Sequence, residues 1–491
     1  MQTLLEDSQH AGVRLETWKH LFGFAQAYKP LMGKVALFAF GTGLADISFP
    51  LVTKDLVDAI TGWREQGSGA SPALGGYVWA YLGLTLLLAT CVHGFIRSVG
   101  RLKTSVSADI RRAGFANLQR LEFAYYDERA AGWLMARMTG DCERLANIMA
   151  WGLLDVLWSS TFLVGIASVL LVLNWKLGLL VLTVVPLLAY ASRAFQKRIL
   201  LTSRRIRKIA SGITADFNES IMGVLTTKIF SQQGPQAAQF SIRVDELYQS
   251  SVRNALLSAL YLPAVLTIGS LATAMVLVRG GYAVSLGSMG LGTLVAFLAY
   301  TRLMFEPLQQ LAHIFSELQM AQASGERIVE LLTREPAIQD SESVQSAVQA
   351  QKEHPVPGRA EDGGPIEVGA IEFENVSFAY GAGQGGDKQV LSDVQVRIEP
   401  GETVALVGST GGGKTTLISL LCRFYEPTAG RITLGGIDLQ ARSLHWVQSI
   451  FGVVLQDPYL FRGSVRENIR YGQLDASDAE VEAAASLVGA H

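Results

Sequence analysis

Charge is scarce in this chain of 491 residues: Asp, Glu, Lys and Arg together make up 17%, against 49% apolar residues. With a mean hydropathy of +0.28, that shortage excludes a wholly soluble enzyme and points to a membrane protein with a soluble part. The net charge of −2 excludes a basic nucleic-acid-binding surface as the dominant feature. Cysteine is nearly absent. Cys91, Cys142 and Cys422 are scattered without metal-ligand spacing and cannot all pair, which excludes a disulfide scaffold and leaves reduced structural thiols. The opening MQTLLEDSQH is polar and acidic and lacks the apolar run of a cleavable signal peptide. The length exceeds what one core can serve, so at least two domains are expected.

What is present is sharpest at residues 403–417, TVALVGSTGGGKTTL. Val404, Ala405, Leu406 and Val407 read as a short buried parallel strand that breaks into a glycine turn and opens a helix at Lys414. Gly408, Gly413, Lys414 and Thr415 fill the G-x-x-x-x-G-K-[ST] pattern of a phosphate-binding loop, with Ser409, Thr410, Gly411 and Gly412 between them and Thr416 after. The chemistry requires these residue types. Backbone N–H groups must converge on a polyanion, a conformation open to glycine at little cost, and the following helix adds its positive end. Lys414 is placed to reach the outer phosphates, and the Thr415 hydroxyl to hold Mg²⁺.

Upstream, residues 16–34 mix aromatics with Lys19, Lys29 and Lys34, which suits an amphipathic helix at the inner membrane surface or a plain cytosolic helix. Apolar runs long enough to span a bilayer follow at roughly 34–58, 75–97, 152–173, 177–195, 255–279 and 289–312. The connections after the second and fourth runs are long and basic. The first carries Arg101, Lys103, Arg111, Arg112, Arg120, Arg129, Arg137 and Arg144, and the second Arg193, Lys197, Arg198, Arg204, Arg205, Arg207, Lys208 and Lys228. The excess of positive charge places both connections and both termini in the cytoplasm, and their unbroken periodicity predicts helices that continue beyond the bilayer. The expected organisation is a membrane domain over 1–335, a Pro-, Gly- and charge-rich linker over 336–368, and a soluble domain over 369–491. Its first features are IEFENVSFAY, the glycine-rich loop GAGQGGDK and the strand QVLSDVQVRIEP.

Taken in order, these motifs resemble an ATP-binding cassette (ABC) exporter of the half-transporter kind, similar to bacterial lipid and multidrug exporters. The resemblance implies a multi-pass α-helical membrane domain of six helices, followed by a partial α/β P-loop nucleotide-binding domain. It implies ATP and Mg²⁺ as cofactors. Residues 408–416 match the Walker A loop, Tyr380 matches the aromatic that stacks on adenine, and Gln456 in FGVVLQDPYLF matches the Q-loop glutamine that touches Mg²⁺. Segments near 110–120 and 213–223 resemble the coupling helices of the two cytoplasmic loops, and QASGERIVELL the exit from the last membrane helix. By the same resemblance the chain acts in the bacterial inner membrane. It would work there as a homodimer, or as a heterodimer with another half-transporter, exporting a hydrophobic or amphipathic substrate by alternating access.

The sequence departs from that pattern after Gln456. No LSGGQ-type signature, no Walker B Asp and Glu, and no switch histidine occurs before His491, so no catalytic residue is assigned. The expectation is a C-terminally truncated nucleotide-binding domain; the alternative to an active exporter is a hydrolysis-incompetent ATP-binding or membrane-domain partner. Charges inside the predicted spans, Asp46, Arg302 and Glu306, suit either a polar substrate cavity or, for Arg302 and Glu306, an internal pair one turn apart.

Overall fold

A computed structural model describes residues 15–66, 74–381 and 388–490. The N-terminal decapeptide, His491 and most of the GAGQGGDK loop lie outside the described residues. The chain forms two units: one comprises 1–120 and 129–334, the other 121–128 and 335–491.

Among the described residues the first unit is built of helices, six of them long and apolar enough to cross a membrane: Lys29–Arg64, Leu74–Leu118, Ala131–Leu173, Trp175–Met222, Gln233–Ser285 and Leu291–Leu311. The 45 residues of Leu74–Leu118 extend for about 68 Å at 1.5 Å per residue, over twice the hydrocarbon thickness. The amphipathic stretch expected over 16–34 is divided. A separate helix, Leu15–Gln26, ends before Lys29–Gln66 begins. It buries Trp18, Leu21 and Ala25 along one stripe, and the Trp18 indole donates to Gln322 Oε1 at 2.6 Å.

The third span is not one regular helix. It passes through π-helical turns at Arg137–Asp141 and Ile148–Gly152, and such bulges re-aim side chains. Asp141 ends the first of them, 6% exposed. There it accepts two hydrogen bonds from the Arg327 guanidinium, both 2.9 Å, and one from Ser324 at 2.8 Å.

The sixth span breaks at Met304, between helices Leu291–Leu303 and Phe305–Thr333. Pro307 follows; it has no N–H to offer the Leu303 carbonyl, and its ring crowds that group. Arg302 and Glu306 flank the break, both exposed, and no ion pair joins them among the described residues. Asp46 is half-buried and accepts from the Trp158 indole at 3.4 Å. The three cysteines are buried and unpaired, as expected.

The second unit is built on a four-stranded sheet in the order β2-β1-β3-β4, with β1 Ile371–Tyr380, β2 Lys388–Ile398, β3 Ala429–Leu434 and β4 Ile437–Asp438. Every pairing is antiparallel. In β1, Phe373, Val376 and Phe378 are all buried although strict alternation would put Val376 on the opposite face from Phe373. The ladder is irregular between Phe373 and Val376, where Asn375 takes φ +50°, and this bulge returns Val376 to the core face. Opposite it, Gly430 at φ +81° is required: a Cβ there would lie 2.3 Å from the Asn375 carbonyl oxygen.

Three expectations are corrected in or around this unit. Val404–Val407 form no strand, and Val404, Leu406 and Val407 are 42%, 39% and 93% exposed. A parallel strand needs a neighbour, and no strand lies beside this run among the described residues. The stretch 336–368 is more than a linker. It carries helix Glu342–Glu353, capped by the Ser341 hydroxyl, and then Asp362, which makes an ion pair with Arg442 at 2.7 Å, each side chain 3% exposed.

The segment 110–120, expected as a coupling helix, is the last turns of Leu74–Leu118, with Ile110 in the membrane unit's core. The separate short helix is Phe123–Asp127, which lies in the nucleotide unit. Likewise 213–223 closes the long helix Val184–Met222, and the short helix is Val224–Ile229, with no buried residue.

Candidate nucleotide-binding site

The glycine loop leads directly into helix Lys414–Leu421. Gly411 and Gly413 take φ +81° and +82°, the left-handed region that a Cβ disfavours. At Gly413 the packing adds a second demand: a Cβ would meet Leu391 Cδ2 at 2.6 Å. Gly412 N–H turns back to the Ser409 carbonyl at 3.1 Å. Gly408, Ser409 and Thr410 are exposed, as is Thr415 at the start of the helix. The Lys414 ammonium is folded onto the loop, donating to the Gly408 and Ser409 carbonyls at 2.9 and 2.7 Å. It therefore stands on a solvent-exposed backbone turn at the start of a helix, an arrangement that suits a polyphosphate.

Tyr380 ends β1, 40% exposed. Its hydroxyl shares a 3.0 Å hydrogen bond with the Thr416 hydroxyl, and Thr416 is 5% exposed. The structure thus brings Tyr380 to the phosphate loop's own helix. One face of the tyrosine region is walled by Phe378, at 4.8 Å and 85° between rings, and another by Tyr425, at 5.3 Å and 85°. Gln456 is not brought to the loop in the same way. It lies in an exposed stretch without helix or strand, so among the predicted metal-binding groups only Thr415 is positioned by the loop. The residues present fit a nucleotide polyphosphate, with Thr415 as the hydroxyl able to hold its Mg²⁺.

Two parts of the neighbourhood escaped the sequence reading. Tyr425 lies in RFYEPTAG, whose aromatic pair between the loop helix and a Pro–Thr turn was the available signal. Its hydroxyl donates to the Asp127 carboxylate, and Phe424 packs against Phe123 with the rings tilted by 38° and centroids 4.5 Å apart. Burial, and then that hydrogen bond, pushes the Tyr425 phenol up. The other part is the buried clasp between Asp362 and Arg442. Arg442 bonds both oxygens of Asp362 and covers the Trp446 ring at 3.5 Å. Burial works to raise the Asp362 carboxyl, but Arg442 and the N–H groups of Ser443 and Gly364 outweigh it and hold the group below its ordinary range.

Comparison with known proteins agrees with this construction. A family model of the ABC transporter transmembrane region matches residues 32–308, and one of the ABC transporter itself matches 391–491. The chain is 29% identical over 479 residues to the Bacillus subtilis uncharacterized ABC transporter ATP-binding protein YknV, covering 96% of this chain and 75% of that one. It is 33% identical over 378 residues to B. subtilis YfiC, an uncharacterized ABC transporter ATP-binding protein, covering 77% and 59% respectively. A multidrug efflux ATP-binding/permease protein of Mycobacterium bovis shares 33% identity over 383 residues, 78% of this chain and 30% of that protein. With the transmembrane-region match alone spanning more than half of the sequence and the nucleotide-domain match following it, this chain is a multi-pass membrane protein of the ABC transporter family.

Proposed function

We propose that this chain is a subunit of a dimeric exporter in which ATP binding at the Walker A loop drives a hydrophobic or amphipathic substrate across the bacterial inner membrane by alternating access. The observation that carries this reading is the union, in one chain, of six membrane-length helices with a glycine loop held open at Gly411 and Gly413. In it the amides of 408–413 and the Lys414 ammonium hold the phosphates, Tyr380 stacks on adenine, and Thr415 holds Mg²⁺. The two basic connections support a cytoplasmic nucleotide domain.

The dimer is supported by the second short helix. Val224, Leu225 and Ile229 are 49%, 69% and 68% exposed, an apolar face suited to a second copy. The name of the multidrug efflux relative supports a role in efflux.

The test is equilibrium Mg-ATP binding to the chain in lipid nanodiscs. Saturable binding that Lys414→Ala removes is expected. Undiminished binding in that variant would refute the loop assignment.

A further inference from the structure

The helix Phe123–Asp127 sits on the first cytoplasmic connection, yet it lies in the nucleotide unit. Its anchors are specific. Phe123 meets Phe424, Glu122 accepts from the Ala337 N–H at 2.9 Å, and Asp127 accepts from the Tyr425 hydroxyl. Tyr425 in turn places its ring edge-to-face against Tyr380, and Tyr380 is tied through its hydroxyl to Thr416. The contacts form one unbroken line from a carboxylate on the connection to the second residue after the loop lysine.

A purely structural Tyr425 would bury its ring and satisfy its hydroxyl on nearby backbone. This one is half-buried, and its hydroxyl goes to an acidic side chain almost three hundred residues distant in sequence. Phe378, 4% exposed, closes the neighbouring side of Tyr380. Phe378 thus stands on one side of the Tyr380 ring and Tyr425 on another, and the hydroxyl of Tyr425 is held by Asp127.

We propose that Asp127 and Tyr425 are positioning residues for Tyr380: through their hydrogen bond the first cytoplasmic connection sets the orientation of the base-stacking ring, and with it the affinity for the adenine half of ATP. This rests on the reading of Tyr380 as the adenine platform. The line ends at the base and leaves the triphosphate to the loop, so it makes a prediction that general destabilisation does not. Loss of the Asp127–Tyr425 bond weakens ATP and spares inorganic tripolyphosphate.

The experiment measures Mg-ATP and Mg-tripolyphosphate binding to the full chain in nanodiscs for Tyr380→Ala, Tyr425→Phe, Asp127→Ala, Asp127→Asn and the Tyr380→Ala/Tyr425→Phe pair. Tyr380→Ala is expected to weaken ATP by about 10-fold, the size of one lost stacking partner. Tyr425→Phe and Asp127→Ala each weaken ATP by about 3- to 10-fold, the size of one hydrogen bond to a charged or polar group. Asp127→Asn, which keeps an accepting oxygen, restores most of that loss. Tyr425→Phe adds nothing once Tyr380 is already alanine. If Tyr380→Ala leaves ATP binding unchanged, the platform reading itself falls. If it weakens ATP while Tyr425→Phe and Asp127→Ala do not, the platform stands and the positioning role is wrong. Equal loss of tripolyphosphate binding, or a Tyr425→Phe effect that persists beside Tyr380→Ala, would overturn the proposal in favour of plain structural support.

Discussion

Within the nucleotide unit, β1 and the run before the phosphate loop are both short, apolar and rich in β-branched or aromatic residues. In β1, Phe373, Val376 and Phe378 are 3%, 0% and 4% exposed; in the other run, Val407 is 93% exposed, and Val454 in the related stretch FGVVLQ reaches 99%. The difference lies in pairing. β1 has β2 on one side and β3 on the other, both paired antiparallel. Residues 403–407 and 451–455 have no strand beside them among the described residues. An apolar run supplies the side chains for burial, but its backbone donors and acceptors are satisfied only by a neighbour, and without one the run stays open to solvent.

The largest effect expected from this contrast is at the packed end. Phe373→Ala should cost about 3–5 kcal/mol through the cavity it leaves under β1. The check is hydrogen exchange of the 371–380 amides in the intact chain, where protection should collapse toward the level of residues 403–407. Protection in the variant equal to wild type would mean that the sheet does not depend on this core.

Arg442→Ala should be nearly as damaging. It strands the buried Asp362 carboxylate, and breaking one side of a buried pair costs about 3–5 kcal/mol. The pair also gives the sheet a pH signature. Asp362 is held below its ordinary range in the folded unit, so its contribution is fully present above the unfolded carboxyl pKa of about 4 and is lost as pH falls through the lower folded value. Exchange protection of 371–380 followed downward from pH 6 should therefore drop below about pH 4 in the wild type, and Asp362→Asn should flatten that limb. The same acid limb in Asp362→Asn would assign it to other carboxylates.

A smaller effect separates two phenylalanines of the first connection. Phe123 is paired with Phe424, whereas Phe115 is 59% exposed on the long membrane-unit helix. A double-mutant cycle between Phe123→Ala and Phe424→Ala should return about 0.5–1.5 kcal/mol of coupling, the range for aromatic pairs. Phe115→Ala should change stability by less than about 0.5 kcal/mol. Coupling indistinguishable from zero would detach the short helix from its assigned partner.

These contrasts also mark what the sequence could and could not disclose. The glycine turn and the helix it opens were legible because the constraint is local: the glycines that take positive φ and the first helical residue, Lys414, are contiguous. The six spans were legible because length and hydropathy alone define them. The bulge at Asn375 was hidden, since it depends on Gly430 approaching from another strand. The short helix at Phe123–Asp127 was hidden too, because 110–118 has the same helical periodicity and only the contact with Phe424 and Tyr425 distinguishes its role. Helix Glu342–Glu353 and the Asp362–Arg442 clasp lay in a stretch whose Pro, Gly and charge content reads as linker; burial of a charged pair has no compositional signal.

The smallest effect tests the open side of the comparison. Val454 is 99% exposed, and so its side chain removes almost no apolar surface from water in this unit. A buried aliphatic truncated to alanine loses both transfer free energy and packing, whereas an exposed one loses neither. Val454→Ala should therefore alter stability by no more than about 0.5 kcal/mol, against several for Phe373→Ala. The two variants are to be compared in the same full chain, by exchange protection of 371–380 for the core and of 450–456 for the run itself. The amides of 450–456 should exchange fast in wild type and in both variants, since no ladder protects them. Slow exchange there in the wild type, lost in Val454→Ala, would mean that the run is paired and buried in solution. The distinction between the two apolar stretches would then vanish, and Val454 would have to be counted with Phe373 as core.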